Sequence, residues 1–134
     1  MRIAGIRKLS VPSITIGQLI APLSSANIQV VTNPSNSTVL QGTTTTFNCS
    51  GVASDSLPVS YAWQRSFNNT YFYYLPGAIS NVYATSAAAI SDNDSFFRCA
   101  LSAQGTGLIY TNSAKLTVNT NVDSSTMTLY KLNL

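Results

Sequence analysis

A chain of 134 residues is long enough for one domain with one packed core. Hydrophobic residues make up 45% of it and charged residues only 8%, far under the roughly 25% of an ordinary soluble domain, so Ser, Thr and Asn solvate the surface, as on extracellular β-rich proteins. His and Glu are absent, which removes the commonest general base, the commonest metal ligand and half of the carboxylates, and the +3 net charge sits in Arg2, Arg7 and Lys8, so the body of the chain lacks the basic footprint of a nucleic-acid binder.

Residues 1–26 begin with three cations, continue in a moderately apolar run from Leu9 to Leu23, and end in Ser24, Ser25 and Ala26. That is the outline of a signal peptide, with cleavage after Ala26. Pro12, Gly17, Gln18 and Pro22 interrupt the apolar run, so a transit-like segment and an uncleaved extension stay open. The run is too short and broken to span a membrane.

From Asn27 the pattern changes to short strands and turns, predicted as follows. Ile28–Val31 and Thr38–Leu40 are brief strands separated by a turn over residues 33–36. Thr43–Ser50 is a β-branched strand pointing Thr45, Phe47 and Cys49 to one face, and 51–58 is a loop. The next strand turns Val59, Tyr61 and Trp63 inward and Ser60, Ala62 and Gln64 outward. After a turn at 66–69, residues 71–74 form an aromatic strand that Leu75, Pro76 and Gly77 end. Residues 82–90 read as a weaker strand and 91–94 as a turn. Ser95–Ser102 points Phe97, Cys99 and Leu101 inward. A flexible tip at 104–107 leads to the last strand, 108–118, with Ala114, Leu116 and Val118 inward.

Short strands with a turn signal every eight to twelve residues predict an all-β, two-sheet antiparallel sandwich over residues 27–119. Residues 120–134 form a tail whose apolar residues (Met127, Leu129, Tyr130, Leu132, Leu134) suit an edge strand or the start of a further segment. With two cysteines, a disulfide and a pair of free thiols are both open; the spacing fits no C-x-x-C redox or zinc motif.

Cys49, Trp63 and Cys99 fall in order on three of these strands. With Gln41-Gly42 ahead of Thr43–Cys49, Tyr61–Arg65 around the Trp, and Leu75–Ala78 followed by Val82–Thr85, they resemble I-set immunoglobulin-like domains. Asp92–Cys99 and the closing strand Thr111–Val118 add to the likeness, which covers residues 28–119. The resemblance implies a Greek-key sandwich, a Cys49–Cys99 disulfide in an oxidising compartment, and a core of Trp63, Phe47, Phe97 and Leu116. Two departures stand out. Phe97 replaces the Tyr that the family places two residues before the second Cys, so a corner hydrogen bond is lost and Asn93 or Asp94 is expected to cap the turn instead. Residues 87–89 are all Ala, so the core beside them is expected to be filled from the opposite sheet, by the aromatics of residues 71–74.

Asn36, Asn48, Asn68 and Asn93 each head an Asn-X-Ser/Thr sequon. Asn36, Asn68 and Asn93 lie on predicted turns and are the candidate glycan sites; Asn48 lies inside a strand beside Cys49. Of the aromatic run, Tyr71 and Tyr73 are expected to face out as anchors for a partner, with Phe72 and Tyr74 closing the core edge. Asp92, Asn93 and Asp94 crowd oxygens together, yet calcium takes about six to eight oxygen ligands and no second acidic cluster exists to supply them. No Ser–His, Cys–His or paired-carboxylate arrangement can be assembled, so an enzyme is not expected, and neither a metal nor a cofactor. The sequence points instead to a secreted or surface recognition and cell-adhesion module, a glycoprotein, binding a protein or glycan through a sheet face or loops. The alternative is a structural spacer or decoration module of a larger surface or virion protein.

Overall fold

The computed structural model describes residues 26–120; the predicted signal segment up to residue 25 and the tail from 121 onward lie outside the described residues. The strands are β1 (Ile28–Thr32), β2 (Ser37–Leu40), β3 (Thr46–Asn48), β4 (Ser50–Ala53), β5 (Ser60–Ser66), β6 (Tyr73–Tyr74), β7 (Val82–Ala84), β8 (Ser95–Ser102), β9 (Ile109–Tyr110) and β10 (Ala114–Asn119), with a 3-10 turn at Ile90–Asp92. One layer is a six-stranded sheet ordered β2-β10-β8-β5-β6, with β9 also on β8. The pairs β1–β4 and β3–β7 make the other layer, β3 running into β4 through Cys49.

Period-two alternation explains why these residues pair as they do. In the long antiparallel pairing of β5 with β8, Tyr61 lies opposite Leu101, Trp63 opposite Cys99 and Arg65 opposite Phe97, so one face of both strands is set at a stroke. Phe47, Trp63, Phe97 and Leu116 are all buried, with Cys49, Cys99, Leu101 and Val118 around them. The rings of Phe47 and Phe97 stack at 4.8 Å, and Tyr83 lies 5.7 Å from Phe97 and 6.2 Å from Trp63. Each such pair adds about 0.5–1.5 kcal/mol beyond burial. Trp63 Nε1 donates to the Ser80 carbonyl at 2.7 Å, so the indole is buried without an orphaned donor.

The structure revises several expectations. Residues 51–53 are strand, where small polar residues read as loop. Gly51 lies opposite Val30, and a Cβ there would run into the Leu101 side chain, so glycine is what lets β4 lie flat on the core. The sheets are antiparallel except at one edge, where β2 runs parallel to β10. The chain crosses there from one layer to the other. Asn33 Oδ1 and Asn36 Oδ1 accept from the backbone N–H of Asn112 and Lys115, each at 2.8 Å, and so hold the crossover to the strand it joins.

The residues from 82 to 90 give only the short β7 and then a turn. Buried Ala88 shares one core cluster with Phe47 and Phe97, with Tyr83 packed against it, and residues 71–74 are not part of that cluster. The corner that a tyrosine would close is held by charge and amides. Arg65 Nη2 donates to Asp92 Oδ1 at 2.6 Å and to Ser95 Oγ at 2.8 Å. Asp92 Oδ2 accepts from Ala89 N–H, and Asn93 Oδ1 accepts from Val118 N–H at 2.7 Å. Burial alone would raise the Asp92 carboxyl; the Arg65 hydrogen bond, the Ala89 N–H and the Arg65 charge outweigh it and hold the group below the ordinary carboxylate range.

Candidate recognition face

Alternation that buries Trp63 and Cys99 must turn Gln64 and Arg98 to the opposite side of the same sheet. There Gln64 lies opposite Arg98 on one flank and opposite Tyr74 on the other, so these three side chains share the outer face. Tyr110 joins them through its pairing with Ala100. The Arg98 guanidinium lies 3.9 Å from the centroid of the Phe72 ring and 3.9 Å from that of Tyr110, in contact with both. Arg98 Nε donates to Gln64 Oε1 at 2.7 Å. Gln64 points outward as expected but is buried, roofed by this stack. The result is a rigid aromatic and guanidinium surface with the exposed rings of Tyr74 and Tyr110 at its sides.

The aromatic run divides differently from its expected alternation. Only Tyr73 and Tyr74 are strand, so period two does not extend back to Tyr71 and Phe72. Tyr73 lies opposite Arg65 and thus in the core-side row, at an edge that leaves it 47% exposed, 6.2 Å from the Phe67 ring. Tyr71, at 79%, stands clear on the turn. Phe72 and Tyr74, expected to close the core edge, belong instead to the outer face, with Tyr74 52% exposed. The register against β5 decides this: Tyr74 is the partner of an outward residue. Sequence reasoning passed over Arg98, Tyr74 and Tyr110. The available signal was adjacency, since a residue next to an inward Cys or Trp on a strand must face out.

The two cysteines are buried neighbours and stand as free thiols, without the expected disulfide between them; Cys99 Sγ–H points to the Ala100 carbonyl at 3.7 Å. The fold places the sulfurs together; oxidation is a separate chemical step. Contact with the Cys99 thiol and burial push the Cys49 thiol up. The sequon residues Asn36, Asn68 and Asn93 are exposed, and each uses Oδ1 as a structural acceptor: Asn68 takes the N–H groups of Thr70 and Tyr71 at 2.9 and 3.0 Å. Asn48 is also exposed. The oxygens of residues 92–94 are spent on Arg65, Ala89, Val118 and Lys115. Among the described residues no group of three His, Cys, Asp or Glu could hold a metal, and no helix is long and apolar enough to cross a membrane.

Solved structures with the same architecture are immunoglobulin domains. The N-terminal Ig1-2 module of the Drosophila receptor protein tyrosine phosphatase DLAR aligns over 71% of the chain with a TM-score of 0.52 at 20% identity. The fold is immunoglobulin-like. Immunoglobulin domains 1–4 of Sidekick-1 align over 69% of the chain with a TM-score of 0.56 at 18% identity, and a chimeric titin Z1Z2 over 70% with 0.50 at 16%. The chain spans 50% of the DLAR structure, 24% of the Sidekick-1 structure and 95% of the titin one. No family model and no curated protein matches the sequence. The immunoglobulin-like module is thus established by shape at identities too low to transfer a partner.

Proposed function

We propose that this domain is a non-catalytic recognition module that acts outside the cell or on a particle surface, and that it binds a protein partner through the outer face of the six-stranded sheet. The observation that carries the reading is the Phe72–Arg98–Tyr110 stack flanked by exposed Tyr74. Large aromatics and Arg, held rigid on a sheet, are the residue types in which binding energy concentrates. An oxidised Cys49–Cys99 bond suits the same setting. It would close a loop of fifty residues and stabilise the fold by about 4 kcal/mol on the chain-entropy model. Asn36, Asn68 and Asn93 are exposed and open to glycans in a eukaryotic secretory pathway.

The test uses the domain as a fluorescent tetramer on intact cells. Tyr74→Ser with Tyr110→Ser should abolish binding and leave the melting temperature nearly unchanged, while Tyr71→Ser with Tyr73→Ser should bind as wild type. The reverse pattern would move the contact to the turn. A spacer or decoration role has one observation in its favour: the DLAR, Sidekick-1 and titin structures are tandem modules. A tetramer that binds no cell under any condition supports that role.

A further inference from the structure

We infer that Arg98 is the anion receptor of this face and takes the carboxylate of an Asp or Glu side chain on the partner protein. The inference rests on the recognition face proposed above and names the chemistry that the face selects.

Three cations lie among the described residues. Arg65 is paired with Asp92 at 2.6 Å and Lys115 with Asp94 at 2.9 Å. Arg98 has no carboxylate partner among the described residues. Its guanidinium carbon lies over both the Phe72 and the Tyr110 ring, and its Nε is taken by Gln64 Oε1. What remains is the end-on edge, Nη1 with Nη2, for which no acceptor exists among the described residues. That edge matches the two oxygens of a carboxylate in the plane of the guanidinium.

The stack fixes this plane before any partner arrives, so little side-chain freedom is left to lose on binding. The two aromatic rings packed against the guanidinium also exclude water from part of it, which strengthens a charge-assisted hydrogen bond at the open edge. The same burial penalises partners without an acid, because they would cover a cation and leave it unpaired.

The shape of the site favours a protein over an acidic sugar. Saccharide-sized ligands are held in concave pockets with several converging polar groups. A cleft of about 380 Å³ among the described residues lies elsewhere, lined by Gly51, Val52, Leu57, Pro58, Val59 and Tyr61 among others, and no charged side chain lines it. Arg98 instead sits on a sheet face with exposed Tyr74 and Tyr110 beside it, the surroundings of a hot spot between proteins.

The experiment follows the Arg98 Nε–H resonance of the ¹⁵N-labelled domain at constant ionic strength. The probes are acetyl-Leu-Glu-Leu-amide, its Gln counterpart and glucuronic acid. The Glu peptide should give a saturable shift at Arg98 and at the Tyr110 ring, with about tenfold weaker binding of the Gln peptide. Arg98→Gln, its fold checked by the amide spectrum, should lose the Tyr110 response, and Arg98→Lys should weaken it several-fold, since an ammonium lacks the fork. Equal responses to the Glu and Gln peptides overturn the inference, as does tighter binding of glucuronic acid, which would assign the edge to acidic saccharides. Should Arg98→Gln not fold, the comparison of peptides on the wild-type domain decides alone. No response at Arg98, with cell binding still lost in the Tyr74 and Tyr110 variant, refutes the carboxylate receptor and leaves the recognition face standing.

Discussion

Replacing Asp92 with Asn tests how this domain manages without a corner tyrosine. The substitution keeps size and an oxygen acceptor, and removes only the charge that Arg65 faces. The Asp92 and Arg65 side chains are 25% and 18% exposed, so the pair lies between a solvated surface bridge, worth about 0–1 kcal/mol, and a buried one, whose disruption costs about 3–5 kcal/mol. Arg65 Nε already lacks a partner, and after the change the guanidinium would keep only neutral acceptors, Ser95 Oγ and the single amide oxygen of the new Asn, for which the Ala89 N–H competes. A loss of about 1–3 kcal/mol at pH 7 is expected, read by urea unfolding. The pH dependence is the sharper test. The Asp92 carboxyl is depressed in the folded state, so its contribution is complete above the unfolded value of about 3.9 and vanishes as pH falls through the lower folded value. Wild type and Asp92→Asn should therefore differ at pH 7, and the difference should shrink as the pH is lowered below the unfolded value. A difference that stays constant across this range would show that the corner is held by packing and not by the ion pair.

Reduction of the oxidised domain should lower unfolding stability by about 4 kcal/mol, and the reduced thiols should resist a thiol reagent until the domain unfolds, because Cys49 and Cys99 are both buried. Rapid labelling of the native reduced domain would contradict that packing. Gly51→Ala should cost about 1–3 kcal/mol by driving a methyl into Leu101, with chemical denaturation as the assay, while Gly77→Ala suffers from its positive φ without any steric contact. Trp63→Phe should destabilise by about 2–4 kcal/mol, since it opens space and strands the Ser80 carbonyl.

The inward rows of β5 and β8 were legible in the sequence because burial imposes period two. Trp63, Phe97, Cys99 and Leu101 are all apolar, and one register aligns them. β4 was not legible, because the residue that makes it a strand, Gly51, is there for its missing side chain. Nor could pattern assign the faces of residues 71–74, since a strand of two residues has no period and its register against Gln64 is a tertiary fact. The site was hidden for a related reason. Phe72, Arg98 and Tyr110 are far apart in sequence, each unremarkable alone, and become a stack only when β5, β8 and β9 lie side by side.

Hydroxyl-radical footprinting of the domain, free and bound to its cells or particles, reads the contact face one tyrosine at a time. Tyr71, Tyr73, Tyr74 and Tyr110 are 79%, 47%, 52% and 42% exposed, so each should be oxidised in the free domain. Protection of Tyr74 and Tyr110 on binding, with Tyr71 unchanged, is the result this account predicts. Protection of Tyr71 and Tyr73, with Tyr74 and Tyr110 still oxidised, would contradict it.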